Sequence, residues 1–335
     1  MTRFRGSVPG VSKSSSLAIA RIMAHCGGAP SEAVTYLAQA IAKGPDDPEP
    51  YDLLAELRRE SPEEVARSVA TPSSLWQFVV GAYLHFLNGD MDQAAQRLGS
   101  VIGYRPDVAW ASAPWFGDER FLGAVTAAGL ADATLNITDY GPEIDNDAAR
   151  ERMGPWFRAI DVVCDREPVA EAMARMAILL RICGRTDASL ALCDRADSID
   201  RVMFTEVVRA GTWRRLGDRQ QTAAAFRRAL ELDPTNWSLY LDLADLAAED
   251  GDFAQAADLV RQGLEHEQDD VTLRAAGAAY RARAEGSVSD MDLLLELASE
   301  VPHAGYRNGL IEHATGAPDL PADRIAAARQ FQAGD

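Results

Sequence analysis

Residues 203–236 read MFTEVVRAGTWRRLGDRQQTAAAFRRALELDPTN, and residues 237–270 read WSLYLDLADLAAEDGDFAQAADLVRQGLEHEQDD. Aligned without a gap, the two stretches place Gly217 over Gly251 and Ala210 over Ala244. Apolar residues recur at three- and four-residue steps on either side of each glycine, which is the period of a helix with one buried face. We therefore predict that each stretch folds as two helices joined by a turn at the glycine.

The same spacing occurs elsewhere in the chain, so that five segments carry it: 14–47, 75–108, 170–202, 203–236 and 237–270. In four of them an alanine precedes the glycine by seven residues, and in three a proline follows it by seventeen. Small alanines let paired helices approach closely, and the proline ends the second helix. Because one helix pair cannot bury its own apolar face, neighbouring pairs must stack.

This pattern resembles the tetratricopeptide repeat family. The residues that carry the resemblance best are Ala210, Trp213, Gly217, Phe226, Ala229 and Pro234. The resemblance implies an all-α fold, namely a right-handed α-solenoid of stacked antiparallel helix pairs. Some repeats are degenerate, because the period is lost between residues 107 and 169 and again after residue 271. The family also implies a concave groove, lined by the first helix of each pair, that holds another protein or a peptide.

Composition breaks in the sequence suggest a division into lobes. We predict a disordered tail at 1–14, an N-terminal lobe at 15–131 and a loop at 132–147, where Asp, Asn, Thr, Gly and Pro are concentrated. A C-terminal lobe at 148–335 would follow and end in a capping helix at about 321–332, which starts at a proline and covers the last apolar face of the stack.

Charge and composition restrict the partners and the compartment. The 335 residues carry a net charge of -18, with a pI of about 4.7, and such a chain would repel a phosphate backbone; we therefore expect no nucleic-acid partner. No apolar run is long enough to span a membrane. The four cysteines form no C-x-x-C pair, which predicts free thiols in the cytoplasm. The arginine-rich usage, with two lysines in all, suggests a bacterial source.

Motifs that carry chemistry are absent from the sequence. The histidines show no H-E-x-x-H spacing, and no phosphate-binding G-x-x-x-x-G-K-[ST] or nucleophile-bearing G-x-S-x-G occurs. The Asp-x-Asp pairs at 90–92 and 250–252 fall at interhelical turns, where aspartate caps the second helix. We therefore predict that the chain is not an enzyme and needs neither a cofactor nor a metal.

The family resemblance also implies which residues would contact a partner, because positions 2, 5, 9 and 12 of each first helix face the ligand. Carried onto this sequence, these positions select as partner-binding residues Trp76, Val79, Tyr83, Phe86, Arg181, Phe204, Arg214 and Asp245. A second interpretation of the aromatic stripe at 76–86 is that it packs against an adjoining helix or against segment 107–130. Segment 110–121, which is rich in Trp and Phe, is either a docking loop or an internal packing element.

The function predicted from these observations is an adaptor or scaffold that binds a protein or peptide segment. Three alternatives stay open. The chain could be a sensor that holds a small molecule or peptide in a pocket near Tyr83 and Phe86 and shifts its lobes. It could be an enzyme without a recognisable motif, or a structural homo-oligomer, and the sequence does not indicate its oligomeric state.

Overall fold

The structure is a computed structural model that describes residues 12–25, 29–70, 74–138 and 146–333, without the side chains of residues 24, 25, 76 and 333. These residues form helices joined by turns and short links, with no strand among them. The chain divides into two compact units, Met1–Arg201 and Val202–Asp335.

The first unit contains twelve α-helices within the described ranges. They are α1 (Lys13–His25), α2 (Pro30–Lys43), α3 (Glu49–Glu60), α4 (Pro62–Val69), α5 (Leu75–Asn88), α6 (Met91–Tyr104), α7 (Glu119–Ala124), α8 (Ala127–Thr138), α9 (Asp147–Arg152), α10 (Gly154–Arg166), α11 (Ala170–Ile182) and α12 (Thr186–Asp197). A short 3₁₀ turn, Trp110–Ser112, lies between α6 and α7.

The described part of the second unit contains eight helices. They are α13 (Met203–Leu216), α14 (Arg219–Leu232), α15 (Trp237–Glu249), α16 (Phe253–Leu264), α17 (Val271–Glu285), α18 (Val288–Ala298), α19 (Ala304–Thr315) and α20 (Ala322–Ala333). Helix α20 lies where the capping helix was predicted, and its Ile325 and Phe331 pack against the core built mainly by α17, α18 and α19.

Each of the five repeat segments folds as a helix pair, so the predicted all-α architecture of stacked antiparallel helix pairs is confirmed. The turn after α13 shows how the sequence produces it. Gly217 ends α13 with a φ of 77°, a left-handed conformation that a side chain with a β-carbon adopts only at a cost. The next residue, Asp218, accepts a hydrogen bond from the backbone N–H of Gln221 and so caps α14.

The predicted loop at 132–147 begins too early, because α8 continues to Thr138. Polar residues suggested a loop there, but Ala133 and Ile137 are fully buried where α8 packs against α6 and α11. Residues 139–145 lie outside the described part. The division between the two units falls after Arg201 instead of within this loop. Of the predicted tail, Lys13 and Ser14 already belong to α1, and residues 1–11 are not described.

Candidate functional site

The aromatic stripe of α5 is part of the core of the first unit. Val79, Tyr83 and Phe86 are only 5 to 7% exposed. The ring of Tyr83 lies 5.0 Å from that of Tyr51, and the ring of Phe86 lies 5.5 Å from that of Trp115. The prediction that these three side chains face a groove is therefore wrong, and the alternative of internal packing is correct. The side chain of Trp76, the fourth member of the stripe, lies outside the described residues.

Segment 110–121 is the element that covers this face. Its four large aromatic residues are all buried, namely Trp110, Trp115, Phe116 and Phe121. Trp115 reaches α5, while Phe116 packs against Trp156 of α10 with 4.6 Å between ring centroids. Aromatic side chains of this size contribute much of the burial energy of a core. The segment is thus a packing element, and it occupies the place where the sensor hypothesis put a ligand pocket.

The second unit keeps more of its corresponding positions accessible. Along α13, Phe204, Val207 and Gly211 are half-buried and Arg214 is exposed. On α15, Asp245 is half-buried and faces the next first helices of the stack. Phe204 lies about 15 Å along the helix axis from Arg214, because each helical residue advances about 1.5 Å. Arg181, the remaining predicted residue, is half-buried near the end of α11 in the first unit.

Asp245 lies at the centre of what we call the acid–tyrosine cluster, made of Asp242, Asp245, Tyr280 and Tyr306. The hydroxyl of Tyr280 on α17 donates a hydrogen bond to Oδ1 of Asp245 at 2.5 Å. The hydroxyl of Tyr306 on α19 donates to the same oxygen at 2.9 Å. One carboxylate oxygen of α15 therefore joins three first helices. Such bonds to an ionised acceptor are stronger than bonds between neutral groups.

Burial alters the acidity of this cluster. It raises the pKa of Asp242 to about 6, with a further increase from the charge of Asp245 and a decrease from Arg214. Burial likewise raises the pKa of Asp245, while the hydrogen bonds from Tyr280 and Tyr306 act in the opposite direction. Desolvation also raises the pKa of both tyrosines, so their hydroxyls stay protonated and remain donors.

Arg214 of α13 acts electrostatically on both carboxyls of the cluster and shares Glu249 with Arg219. Arg214 forms an ion pair with Glu249, and Arg219 contacts both Glu249 and Asp250. The predicted residues Arg214 and Asp245 are thus brought into one electrostatic environment. These exposed pairs are weak, because water screens them and the long side chains lose entropy when they are held. Arg214 can therefore exchange Glu249 for a partner at little cost.

Sequence reasoning found Asp245 and Arg214 but missed Asp242, Tyr280 and Tyr306. The available signal was local: Asp242 and Asp245 interrupt the apolar run of α15 between Leu239 and Ala248. Two acids on the same side of an otherwise apolar helix need an explanation, because burial of a charge is costly. The sequence around Tyr280 and Tyr306 gives no indication that these tyrosines contact Asp245.

Other kinds of site receive no support from the described residues. No group of three or more His, Cys, Asp or Glu side chains is placed there to hold a metal ion. Within the same residues, no helix has both the length and the apolar character needed to cross a membrane. Cys164, Cys183 and Cys193 are buried, and no disulfide joins them to one another; Cys26 lies outside the described ranges.

Stacked pairs of antiparallel helices with glycine turns define a helical repeat protein. A family model described as tetratricopeptide repeat matches residues 214–280, which span the end of α13 to α17. Residues 214–280 are therefore similar to tetratricopeptide repeats, as the sequence pattern predicted for this part of the chain. Repeats of this family generally mediate protein–protein interaction, and this supports a role as an interaction scaffold in general terms.

Solved structures give further likenesses at low identity. A tetratricopeptide repeat protein from Parabacteroides merdae is 13% identical, with a TM-score of 0.40 over 91% of this chain and 100% of that chain. PilF of Pseudomonas aeruginosa is 13% identical, with a TM-score of 0.39 over 77% and 96%. MamA protein is 13% identical, with a TM-score of 0.35 over 54% and 91%. Structural similarity at these TM-scores gives no information about function. No curated protein matches the chain.

Proposed function

We propose that the chain is a protein-binding scaffold whose second unit holds a protein or peptide segment on the face of α13 and α15. The observation that carries this proposal is a difference in exposure between equivalent positions. In α5 the ligand-facing positions Val79, Tyr83 and Phe86 are buried, whereas in α13 the equivalent Val207 and Gly211 keep part of their surface and Arg214 has 43% of its side chain exposed. A partner can therefore reach the second unit.

The chemistry of this face favours a segment with both apolar and polar side chains. Val207 and Leu241 are half-buried and offer apolar contact area. Arg214 offers a guanidinium that can pair with a carboxylate, and Ser238 is an exposed hydroxyl at the start of α15. Helical and extended segments bind such grooves through a few anchoring side chains with polar contacts around them.

Site-specific photo-crosslinking in cells that naturally express the protein tests the proposal. A benzophenone amino acid would replace Val207 or Ser238, both accessible on the proposed face, and Asp258 on α16 as the matched control. We expect a defined protein adduct at the first two positions and none at Asp258. A peptide from the adduct should then bind the purified chain and lose affinity with Arg214→Glu. Equal adducts at all three positions, or none at the face, would contradict the proposal.

A further inference from the structure

The Asp245 carboxylate bridges helices that are distant in sequence. Its two hydroxyl partners, Tyr280 and Tyr306, come from 35 and 61 residues further along the chain. Tyr280 is almost completely buried and Tyr306 is half-buried, so water competes poorly for these bonds. The bridge therefore contributes directly to the stacking of α17 and α19 on α15.

Asp242 lies one helical turn before Asp245 and is placed differently. Both carboxyls are largely buried on α15, but Asp242 forms no hydrogen bond or ion pair with any described residue. When both groups are ionised, Asp242 holds a charge in a poorly hydrated place, and the charge of Asp245 one helical turn away adds repulsion. A proton on Asp242 removes both penalties, while the hydroxyls of Tyr280 and Tyr306 stabilise the charged form of Asp245.

The other charges around the pair do not cancel this repulsion. Arg214 of α13 lowers the pKa of both carboxyls but is paired with Glu249, which itself raises the pKa of Asp245.

On the remaining neighbours, the charged groups are engaged elsewhere. Arg219 of α14 contacts Glu249 and Asp250, and on α16 Arg261 is paired with Asp258 and Glu265. The hydroxyls of Tyr280 and Tyr306 reach the pair from α17 and α19. His313 of α19 lies behind Tyr280, with 6.0 Å between the ring centroids, and Arg281 of α17 is paired with Asp290.

We propose that Asp242 and Asp245 form a proton-sensitive latch between the first helices α15, α17 and α19. One proton taken from solvent and held on Asp242 stabilises the stack, and its release as the pH rises makes local opening of these helices easier. The latch needs no ligand, so the result of its test does not depend on the proposed function.

The sign and size of the effect follow from linkage. An aspartate with an ordinary pKa of 3.8 that titrates near 6 in the folded state binds more protons when folded than when open. Stability is therefore greatest at low pH and declines as the pH rises through this window. Between pH 5.2 and 7.5, above the pI, the opening constant of the latched helices should rise about sevenfold.

Amide hydrogen exchange of the full chain between pH 5.2 and 7.5, corrected for the intrinsic pH dependence of exchange, measures the opening. We expect the sevenfold rise in α15, α17 and α19, and a smaller change in α14 of the same unit. Asp242→Asn should remove the rise, because the amide does not titrate. Asp258→Asn, an exposed acid on α16, should leave it unchanged.

Two further measurements separate the latch from general charge repulsion. Tyr306→Phe should speed exchange in α19 at every pH and preserve the pH slope in α15. The carboxyl carbon of Asp242, followed by NMR in the wild-type chain, should titrate with a midpoint near 6. A midpoint near 4, or a pH slope that Asp242→Asn retains, would overturn the latch, as would an equal slope in α14.

Discussion

Replacement of Glu206 by glutamine should destabilise the second unit more than the same replacement of an exposed glutamate. Glu206 on α13 is almost completely buried, with 4% of its side chain exposed. It pairs at 2.8 Å with Arg209, whose side chain is 10% exposed, and at 2.9 Å with Arg228 of α14, which is 34% exposed. The carboxylate therefore neutralises one buried and one half-buried guanidinium.

The magnitude depends on which arginine can return to water. Arg228 can turn outward when its partner loses charge, but Arg209 stays in a poorly hydrated place and loses the opposite charge of Glu206. Breaking a buried ion pair from one side costs about 3 to 5 kcal/mol. Because glutamine keeps the shape and one acceptor oxygen of Glu206, we expect the low end of that range, about 3 kcal/mol.

Glu249 provides a matched control within the same unit. It also pairs with two arginines, Arg214 and Arg219, but 38% of its side chain is exposed. Water already solvates these groups, so Glu249→Gln should cost less than about 1 kcal/mol.

The assay is the free energy of opening of α13 and α14 amides, measured by hydrogen exchange in the full chain. A cost of about 3 kcal/mol corresponds to a rise of more than 100-fold in the opening constant. Arg209→Met should be nearly as harmful as Glu206→Gln, and Arg228→Met clearly less so. The reasoning would be refuted if Glu206→Gln and Glu249→Gln had equal effects, or if the two arginine variants could not be distinguished.

Three further changes test the packing of the two units by urea denaturation or hydrogen exchange. Gly99→Ala should cost about 1 to 3 kcal/mol, because a β-carbon there would lie 2.4 Å from the carbonyl oxygen of Ala133; an unchanged unfolding midpoint would contradict this close approach of α6 and α8. Gly217→Ala should cost about 1 kcal/mol through its left-handed φ of 77° alone, whereas Gly309→Ala, inside α19 and facing open space, should be neutral or stabilising. Trp115→Ala should destabilise the first unit by about 3 to 5 kcal/mol, and a loss of partner binding in the second unit without loss of stability would assign Trp115 a different role.

The helix pairs could be predicted from sequence because their signals are local. A glycine at the turn and an alanine two helical turns earlier act within one repeat, so the register from Ala210 to Gly217 is readable without tertiary information. Whether a side chain is exposed, in contrast, depends on residues that are distant in the sequence. Tyr83 and Phe86 occupy groove positions in their own repeat, but Trp115 reaches them from a different part of the chain. Spacing within α5 holds no information about that contact.

The acid–tyrosine cluster was only partly predictable for the same reason. Asp245 occupies a position that the repeat assigns to the groove, so it could be selected from one segment. Tyr280 follows it by 35 residues, one more than the repeat length, and Tyr306 follows by 61. Neither tyrosine occupies the position in its own helix that corresponds to Asp245, so the groove positions of the repeat do not select either of them.

The length of the links between helix pairs explains why the first helices are accessible in the second unit and covered at α5 in the first. Residues 233–236 join α14 to α15, and a link of four residues only turns the chain into the next helix. Residues 105–118 join α6 to α7, and this longer link carries Trp110, Trp115 and Phe116 into the core. A long apolar link must bury its aromatic side chains somewhere, and the face of α5 provides that surface. Tandem repeats with short links, as at 203–270, lack such a segment to cover their own first helices. It follows that a partner of this chain should be sought on the regular repeats, and that the irregular segment 110–121 serves the stability of the first unit.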